Sequence, residues 1–319
     1  MKKRLILIIR YFVALLMLIS IFVYFRRNQD VLKLLKDVDI KYCVLLLPFI
    51  FLSFVIGSAN LFILLKAKHK GIFWLKWFRF HFVKRFLNMH IPQSGNVYEA
   101  IKMREIFGID ILSYTASFGA VNWFNACFNC AIALVVLLAW TGFSGQINLF
   151  IIFGILFILS LLITVPPLID YFCLRVGKLA FSGAVSTYVH KAHDLVRSMR
   201  EDILDVHVFF KLLFWNTLLF CVGIATLFIG FKTLDVNIGL KGLIPFVVLS
   251  LMSGLVSILP GNIGIVEYAY GFLGSAFNLT ISVGILLSLM FRIVTYVVFL
   301  VTFLVLASVS VLKQRRELI

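Results

Sequence analysis

A break in a long apolar block of the sequence reads Pro260-Gly261-Asn262-Ile263-Gly264-Ile265-Val266-Glu267. The block runs from residue 242 to residue 277, and the break divides it into arms of about 18 and 14 residues, whereas a membrane-spanning helix needs roughly 20. Proline cannot continue a helix that precedes it, and glycine adopts backbone conformations that end one. We therefore predict a re-entrant helical hairpin with the break at its turn.

A second stretch repeats this layout and reads Pro92-Gln93-Ser94-Gly95-Asn96-Val97-Tyr98-Glu99. In both stretches a proline stands seven residues before a glutamate, and at least one glycine lies between them. Internal repeats of this kind are typical of transporters built from two related halves, with the substrate site at broken helices. We place the two halves at residues 1–141 and 147–319 of a single membrane domain.

The composition decides the class of protein. Of the 319 residues, 62% are apolar and 34 are phenylalanine, which is more apolar surface than one soluble core can bury. Only helices and closed barrels satisfy the backbone in lipid, and the apolar runs here have helical length. We predict an all-α polytopic membrane protein with two re-entrant or broken segments and six full spans, at residues 5–25, 42–65, 111–140, 147–168, 209–231 and 280–312.

Basic residues in the connections predict the orientation. Most of the 30 lysines and arginines fall on one side if the N-terminus is cytosolic, as the positive-inside rule requires. We predict a plasma-membrane protein with both termini and the connection 169–208 in the cytosol, which places the two breaks on opposite sides as an inverted repeat. The net charge of +16 is spread over several connections, so it indicates topology and anionic lipid, and we expect no nucleic-acid partner.

The stretch 72–86 mixes aromatic and basic residues at close spacing. Such a sequence is typical of a helix at the headgroup level, with rings in the acyl boundary and cations on lipid phosphates. An ordinary interfacial helix that follows the positive-inside rule has the same composition. The sequence leaves both interpretations open.

Within the two breaks, the residues after each proline suit the start of a new helix. Ser94 and Asn262, each two residues after its proline, are good N-caps, and Glu99 and Glu267 would then both lie in the second turn. A helix that begins inside the membrane directs N–H groups and its positive dipole end toward an anion such as a lipid phosphate. The alternative is that proline and glycine merely bend tightly packed helices, with the glutamates facing water.

Glu267 is the isolated charge of the second break. No other charged residue lies between Lys241 and Arg292, and a carboxylate in an apolar region is costly unless it is paired, protonated or hydrated. Arg292 is a candidate partner for Glu267. It could also bind a lipid phosphate with two N–H groups, or neutralise a purely structural carboxylate.

A third polar feature lies in the third predicted span. Asn122, Asn125 and Asn129 share one helical face; polar amides usually join helices, and a cavity lining is the alternative. Cys127 and Cys130 form a C-x-x-C pair in the same span without a second pair, so we predict no metal site. The sequence has no nucleotide-binding motif, and we expect no cofactor.

Both breaks resemble a known family. The segment 86–99, followed by Arg104, looks like the N-L-x-P-x-x-x-G-E-like signature of the lysylphosphatidylglycerol synthetase transmembrane-region family. The segment 259–267, followed by Arg292 and Tyr296, is similar to that family's P-G-G-x-G-x-x-E signature and its downstream arginine. The resemblance spans most of the chain and implies a stand-alone, flippase-like domain that handles an anionic lipid or a lipid-linked glycan, without the soluble aminoacyl-transferase domain of the synthetases.

The breaks and the resemblance together give a candidate substrate-binding site. Its members are Pro92, Gly95, Glu99 and Arg104 in the first break, Pro260, Gly261, Asn262, Gly264, Glu267, Arg292 and Tyr296 around the second, and Asn122, Asn125 and Asn129 as cavity candidates. We predict a lipid translocase with no catalytic residue. The alternatives are an intramembrane transferase that acts on a lipid-linked sugar, with Glu267 as general base, and a non-catalytic partner of a lipid-modifying enzyme. A homo-oligomer is a further expectation.

Overall fold

The computed structural model describes residues 2–27, 36–141, 205–253 and 259–316, together with residues 34, 154, 158, 194 and 197–199. Every regular element in these ranges is helical. The α-helices along them are α1 (Lys2–Arg27), α2 (Ile40–Lys68), α3 (Trp74–His90), α4 (Ser94–Phe107), α5 (Ile111–Thr141), α6 (Val206–Thr233), α7 (Leu240–Ser253), α8 (Ile265–Ala276) and α9 (Ile281–Arg316). A 3-10 turn, Pro260–Asn262, lies between α7 and α8.

Four of the described helices are long and apolar enough to cross a membrane. They are α2, the part Ile111–Val136 of α5, α6, and the part Ile281–Leu306 of α9. Helix α1 covers the first predicted span, and its part Tyr11–Arg26 is a shorter apolar helix, as is α7. The predicted class, an all-α polytopic membrane protein, is therefore confirmed. The predicted span 147–168 and nearly all of the connection 169–208 lie outside the described residues.

The chain forms two compact units, each assembled from separate stretches of sequence. The first unit contains Met1–Phe54, Val222–Phe246 and Asn262–Ile319, and the second contains Val55–Cys221 and Val247–Gly261. Glu267 belongs to the first unit and Glu99 to the second. The repeat halves at 1–141 and 147–319, and the inverted relation between them, remain predictions.

At the first break the chain turns sharply between α3 and α4. Gln93 is the N-cap of α4 and has a left-handed φ of 66°. The Ser94 hydroxyl donates to the carbonyl of Ile91 at 2.8 Å, and the Asn88 side chain accepts the N–H of Gly95 at 2.8 Å. Ser94 is thus not the N-cap, as predicted, because its hydroxyl satisfies a carbonyl at the end of α3 instead of an N–H of α4.

At the second break three residues take positive φ values: 55° at Gly261, 51° at Asn262 and 86° at Gly264. Gly264 is the N-cap of α8, so the prediction of Asn262 at this position is wrong. The left-handed Gly264 delays the start of the helix, which makes Glu267 the third residue of α8, whereas Glu99 is the sixth residue of α4. The two glutamates therefore do not occupy equivalent positions in the second turn, as the sequence predicted.

Helices α8 and α9 pack with their backbones in contact. A Cβ atom added to Gly284 of α9 would overlap with the carbonyl of Tyr270 on α8, and one added to Gly271 would lie 2.9 Å from the Ile281 side chain. Glycine at these positions lets the helices approach more closely than larger residues permit. This contact fixes α8, with Glu267, against the helix that carries Arg292.

We expect Gly284→Ala to destabilise the protein by about 1–3 kcal/mol, because the added methyl group forces the two helices apart. The matched control is Gly71→Ala, since no heavy atom lies within 4 Å of the added Cβ there. The free energy of unfolding in mixed detergent micelles measures both changes. Equal stability of the two variants would contradict the close packing of α8 on α9.

Candidate functional site

Glu267 caps the helix that carries it. Its Oε2 accepts the N–H of Gly264 at 2.6 Å, and the N–H of Tyr268 donates to the carbonyl of Gly264 at 3.0 Å to close the first turn. The side chain is only 1% exposed. A carboxylate is favourable here because the N-terminus of a helix has unpaired N–H groups and a partial positive charge.

Arg292 binds the other oxygen of the same carboxylate. Its Nη2 and Nε both donate to Oε1 of Glu267, at 2.7 Å and 3.0 Å. The arginine side chain is 16% exposed. The structure therefore answers the question that the sequence left open, since Glu267 and Arg292 form an ion pair in which each carboxylate oxygen has its own donor.

Helix α1 packs against this part of the first unit. A Cβ atom added to Gly264 would overlap with the side chain of Met17. The hydroxyl pairs that join α1 to α8 and α9 are Ser20 with Tyr268 at 2.6 Å and Tyr24 with Ser282 at 2.9 Å. The N-cap glycine of α8 is thus covered by a side chain of α1.

Glu99 lies at the centre of a polar cluster in the second unit and is fully buried. Its Oε1 lies 3.0 Å from Nδ1 of His81. Its Oε2 lies 2.7 Å from Nζ of Lys84 and accepts a hydrogen bond from the Tyr114 hydroxyl. Lys84 also lies 4.1 Å from the centre of the Phe118 ring, a cation–π contact. We name the four residues His81, Lys84, Glu99 and Tyr114 the His81 cluster; they join α3, α4 and α5.

The charges of the His81 cluster follow from burial and from its partners. Burial alone would raise the pKa of Glu99, but attraction and hydrogen bonds from Lys84 and His81 outweigh burial and lower this pKa to about 2. Burial lowers the pKa of His81 to about 4, against the opposing effect of Glu99. At neutral pH a neutral imidazole therefore lies beside an ionised carboxylate. Both residues lie outside the four candidate spans.

The other residues predicted for the first break surround this cluster unevenly. Pro92 and Gly95 are buried, and a Cβ atom on Gly95 would overlap with the carbonyl of Lys84, so α3 and α4 touch there. Arg104 is exposed near the end of α4 and takes no part in the contacts of Glu99. The structure thus brings Glu99 together with residues of α3 and α5, and not with Arg104.

Around the second break, the remaining predicted residues shape the backbone. Pro260 is buried and begins the 3-10 turn, while Gly261 and Asn262 supply its left-handed residues. Tyr296 lies one turn after Arg292 on α9 and is 38% exposed. Its place in the predicted site remains untested.

The three asparagines of α5 lie on one face, as predicted. Asn129 donates through Nδ2 to the carbonyl of Asn125 at 2.7 Å, and Asn122 is half-buried. The Oδ1 atoms of Asn125 and Asn129 are buried and accept no hydrogen bond in the described part of the chain. The choice between helix packing and cavity lining for this face remains a prediction.

Metal-ligating residues are scattered over the described ranges. Among the residues placed there, no group of three or more His, Cys, Asp or Glu side chains could hold a metal ion. Cys127 and Cys130 are not joined by a disulfide, and the Cys130 thiol instead lies 3.4 Å from the sulfur of Met252.

The sequence did not single out His81, Lys84 and Tyr114 as site residues. A signal was present, because Trp77, His81 and Lys84 follow one another at i, i+4 and i+7 and therefore share one face of α3. All three are buried, whereas the composition of 72–86 alone indicates a helix at the headgroup level. The polar residues of an aromatic and basic helix need to be sorted by face before they are assigned to lipid.

Comparison with known proteins identifies the family. The sequence model described as the lysylphosphatidylglycerol synthase TM region matches residues 6–302. The chain belongs to this family. No curated protein and no solved structure matches it. As a member of the lysylphosphatidylglycerol synthase TM family, the chain is a multi-pass membrane protein tied to lipid handling, and the matched residues include both breaks, Arg292 and the His81 cluster.

In this family member, Arg292→Ala should lower the free energy of unfolding by roughly 3–5 kcal/mol, because it leaves the Glu267 carboxylate buried and unpaired. The double variant Glu267→Gln/Arg292→Gln, which removes both charges, should recover at least about half of that loss. Unfolding in mixed detergent micelles is the measurement.

The matched control for this ion pair is Glu105→Gln. Glu105 accepts a bond from Lys102 at 2.6 Å in a solvent-exposed pair, so its loss should cost less than about 1 kcal/mol. An Arg292→Ala variant that is as stable as Glu105→Gln would contradict the buried ion pair.

The stability of this lysylphosphatidylglycerol synthase TM protein should fall as the pH drops from about 6.5 to 4.5. In this window the unfolded chain binds a proton at His81, but the folded protein, with a His81 pKa of about 4, does not, so protons favour unfolding by at most about 1.4 kcal/mol per pH unit. The Glu99 contribution, with its pKa of about 2, is lost only below about 4.5.

Thermal unfolding midpoints at pH 7.5 and 5.0 test this expectation. His81→Gln retains a donor for Glu99 but cannot bind a proton, so its midpoint should fall less than that of the wild type. His90→Gln changes an exposed histidine of the same helix and should behave like the wild type. Parallel shifts in all three proteins would refute the assignment to His81.

Proposed function

We propose that this protein moves an anionic lipid headgroup, of a phospholipid or a lipid-linked glycan, across the membrane. The observation that carries the proposal is the buried Glu267–Arg292 pair at the N-terminus of α8, beside the break. A guanidinium and a helix N-terminus are the two protein groups best suited to a phosphate. Here both are present within one short segment and are held by a single carboxylate.

The carboxylate acts as an internal stand-in for the phosphate. Glu267 takes one bond from the N–H of Gly264 and two from the guanidinium of Arg292. A lipid phosphate presents the same kind of oxygen atoms, so it competes with Glu267 for these donors. Exchange between two anions keeps Arg292 paired at every stage, and it lets the headgroup bind without a deep energy minimum from which it could not leave.

A second buried carboxylate supports the proposal. Glu99 follows the first break and is paired with Lys84 and His81. Transporters with broken helices use such segments to bind charged substrates within the membrane. In this proposal Pro92 and Gly95 shape the first break, Pro260, Gly261, Asn262 and Gly264 shape the second, and the exposed Arg104 and Tyr296 make early contacts with the headgroup. The acyl chains remain in lipid.

The charge pattern of the sequence supports the remaining parts of the proposal. The basic connections favour a plasma-membrane protein with cytosolic termini. A homo-oligomer or an association with a lipid-modifying enzyme would be compatible with this role. The transferase alternative receives less support, because both oxygens of Glu267 already accept hydrogen bonds, and a general base needs a free oxygen near the proton that it removes.

Reconstitution into liposomes tests the proposal. Phosphatidylglycerol with a fluorescent label is placed in both leaflets, and dithionite bleaches the label on the outside, so the bleached fraction reports movement between leaflets. We expect bleaching beyond the outer-leaflet fraction with wild-type protein and at least about tenfold slower movement with Glu267→Gln or Arg292→Ala, since losing one charge-assisted bond costs 1.4 kcal/mol or more.

The control variant is again Glu105→Gln, whose carboxylate lies on the exposed surface of α4. It should move lipid at a rate within about twofold of wild type. Wild-type rates in Glu267→Gln and Arg292→Ala would remove this site assignment. Bleaching no greater than in protein-free liposomes would refute lipid movement itself.

A further inference from the structure

The imidazole of His81 is bound at one nitrogen only. Nδ1 lies 3.0 Å from Oε1 of Glu99, while Nε2 is buried and has no hydrogen-bond partner in the part of the chain that the structure describes. Because a carboxylate only accepts hydrogen bonds, the neutral ring carries its proton on Nδ1 and presents a bare acceptor at Nε2. Buried polar atoms without partners are rare in folded proteins and indicate a group that binds something else.

Two neighbouring side chains share this property. The Nε1 of Trp77 and both amide atoms of Asn60 are also buried without partners among the described residues. The Trp77 and His81 rings lie 4.8 Å apart. Asn60 lies one turn beyond Gly57 on α2, and at Gly57 the guanidinium of Arg85 from α3 comes within 2.8 Å of the Cβ position. The interface of α2 with α3 therefore contains a polar strip with donors and acceptors that can hold water next to Nε2.

Charge determines when His81 can accept a proton. The groups that act on it are Glu99 of α4, which favours the protonated ring, and Lys84 and Arg85 of α3, which oppose it. Tyr114 of α5 reaches the ring only through Glu99, to which it donates. Since Glu99 is already bonded to Lys84 at 2.7 Å, a proton on Nε2 adds an unbalanced buried charge, which is costly.

An arriving anion removes this cost. With an oxyanion beside Nε2, the imidazolium donates one hydrogen bond through Nδ1–H to Glu99 and a second through Nε2–H to the anion. The proton comes from water through the polar strip and the new bond is N–H, so the cluster gains one proton and one negative charge and keeps its net charge. Proton binding and anion binding therefore strengthen each other.

We infer that the His81 cluster binds one proton together with one oxyanion of the lipid-phosphate type, and so couples headgroup binding in the second unit to proton uptake. The coupling to lipid movement rests on the proposed function. The joint binding does not, because it follows from the local arrangement of His81, Glu99, Lys84 and Arg85. The role of Glu99 is to hold the ring with Nε2 available.

Binding measurements on the full chain in detergent test the joint binding. The probes are short-chain phosphatidylglycerol, neutral-headgroup phosphatidylcholine of the same chain length, and inorganic sulfate as a free oxyanion. Proton-linked binding changes affinity by at most tenfold per pH unit, over the range between the pKa of His81 alone, about 4, and its raised value with anion bound. For a raised value near the ordinary 6.5, affinity for phosphatidylglycerol should be about tenfold higher at pH 5.5 than at pH 7.5.

The matched variants separate His81 from general acid effects. His81→Gln should bind phosphatidylglycerol equally at both pH values, whereas His90→Gln should keep the wild-type dependence, and thermal unfolding at pH 7.5 verifies that both are folded. A wild-type affinity that does not change with pH, or a His81→Gln variant that retains the change, overturns the inference. The same change with phosphatidylcholine also overturns it, because that headgroup has no net negative charge. A matching change with sulfate alone supports the oxyanion site and assigns it to free anions.

The liposome assay then tests the coupling. With a pH gradient of about two units, wild-type and His90→Gln proteins should move labelled phosphatidylglycerol at least about threefold faster in one gradient direction than in the other, and His81→Gln should move it equally in both. Equal rates for the wild type overturn the coupling. An absence of all movement, with proton-linked binding intact, refutes the proposed function but leaves the binding inference standing.

Discussion

An ionised carboxylate inside an apolar protein costs several kcal/mol unless cations and hydrogen-bond donors surround it. Glu99 and Glu267 meet this requirement in different ways. Glu267 uses the first turn of its own helix and one guanidinium from α9, whereas Glu99 uses side chains from α3 and α5. The breaks, the glycine contacts and the burial of α3 all serve to place these donors. The charged groups thus restrict where the surrounding helices can lie.

The sequence predicted the large-scale features well, because they depend on length and hydrophobicity alone. The spans and the position of both breaks follow from apolar runs of about 20 residues and from proline. The caps were predicted wrongly, since the choice of Ser94 or Gln93, and of Asn262 or Gly264, depends on which neighbouring carbonyl each side chain can reach. His81 and Lys84 were missed for a related reason. Composition does not distinguish the buried face of α3 from its exposed face.

The two polar sites differ in how easily their donors can be released. Around Glu99 the donors are three side chains on two other helices, so a competing anion would have to disturb α3 and α5 together. At Glu267 one donor is a backbone N–H of the break and the other is a single long side chain that is partly exposed. Arginine can turn toward a new anion by rotating its own bonds. The pair on α8 and α9 is therefore the more suitable place for exchange, and the His81 cluster for a response that involves several helices.

The contacts of α1 have a consequence for how the protein is made. Its hydroxyl bonds reach residues 248 and 258 positions later in the chain, and its Met17 covers Gly264. Since the N-terminal helix leaves the ribosome first, it has to wait in the membrane until almost the whole chain has followed. Pairings of such long range form late and slowly. The capped end of α8 is thus completed only when the first and last parts of the chain meet, so an incomplete chain cannot form the finished Glu267 site.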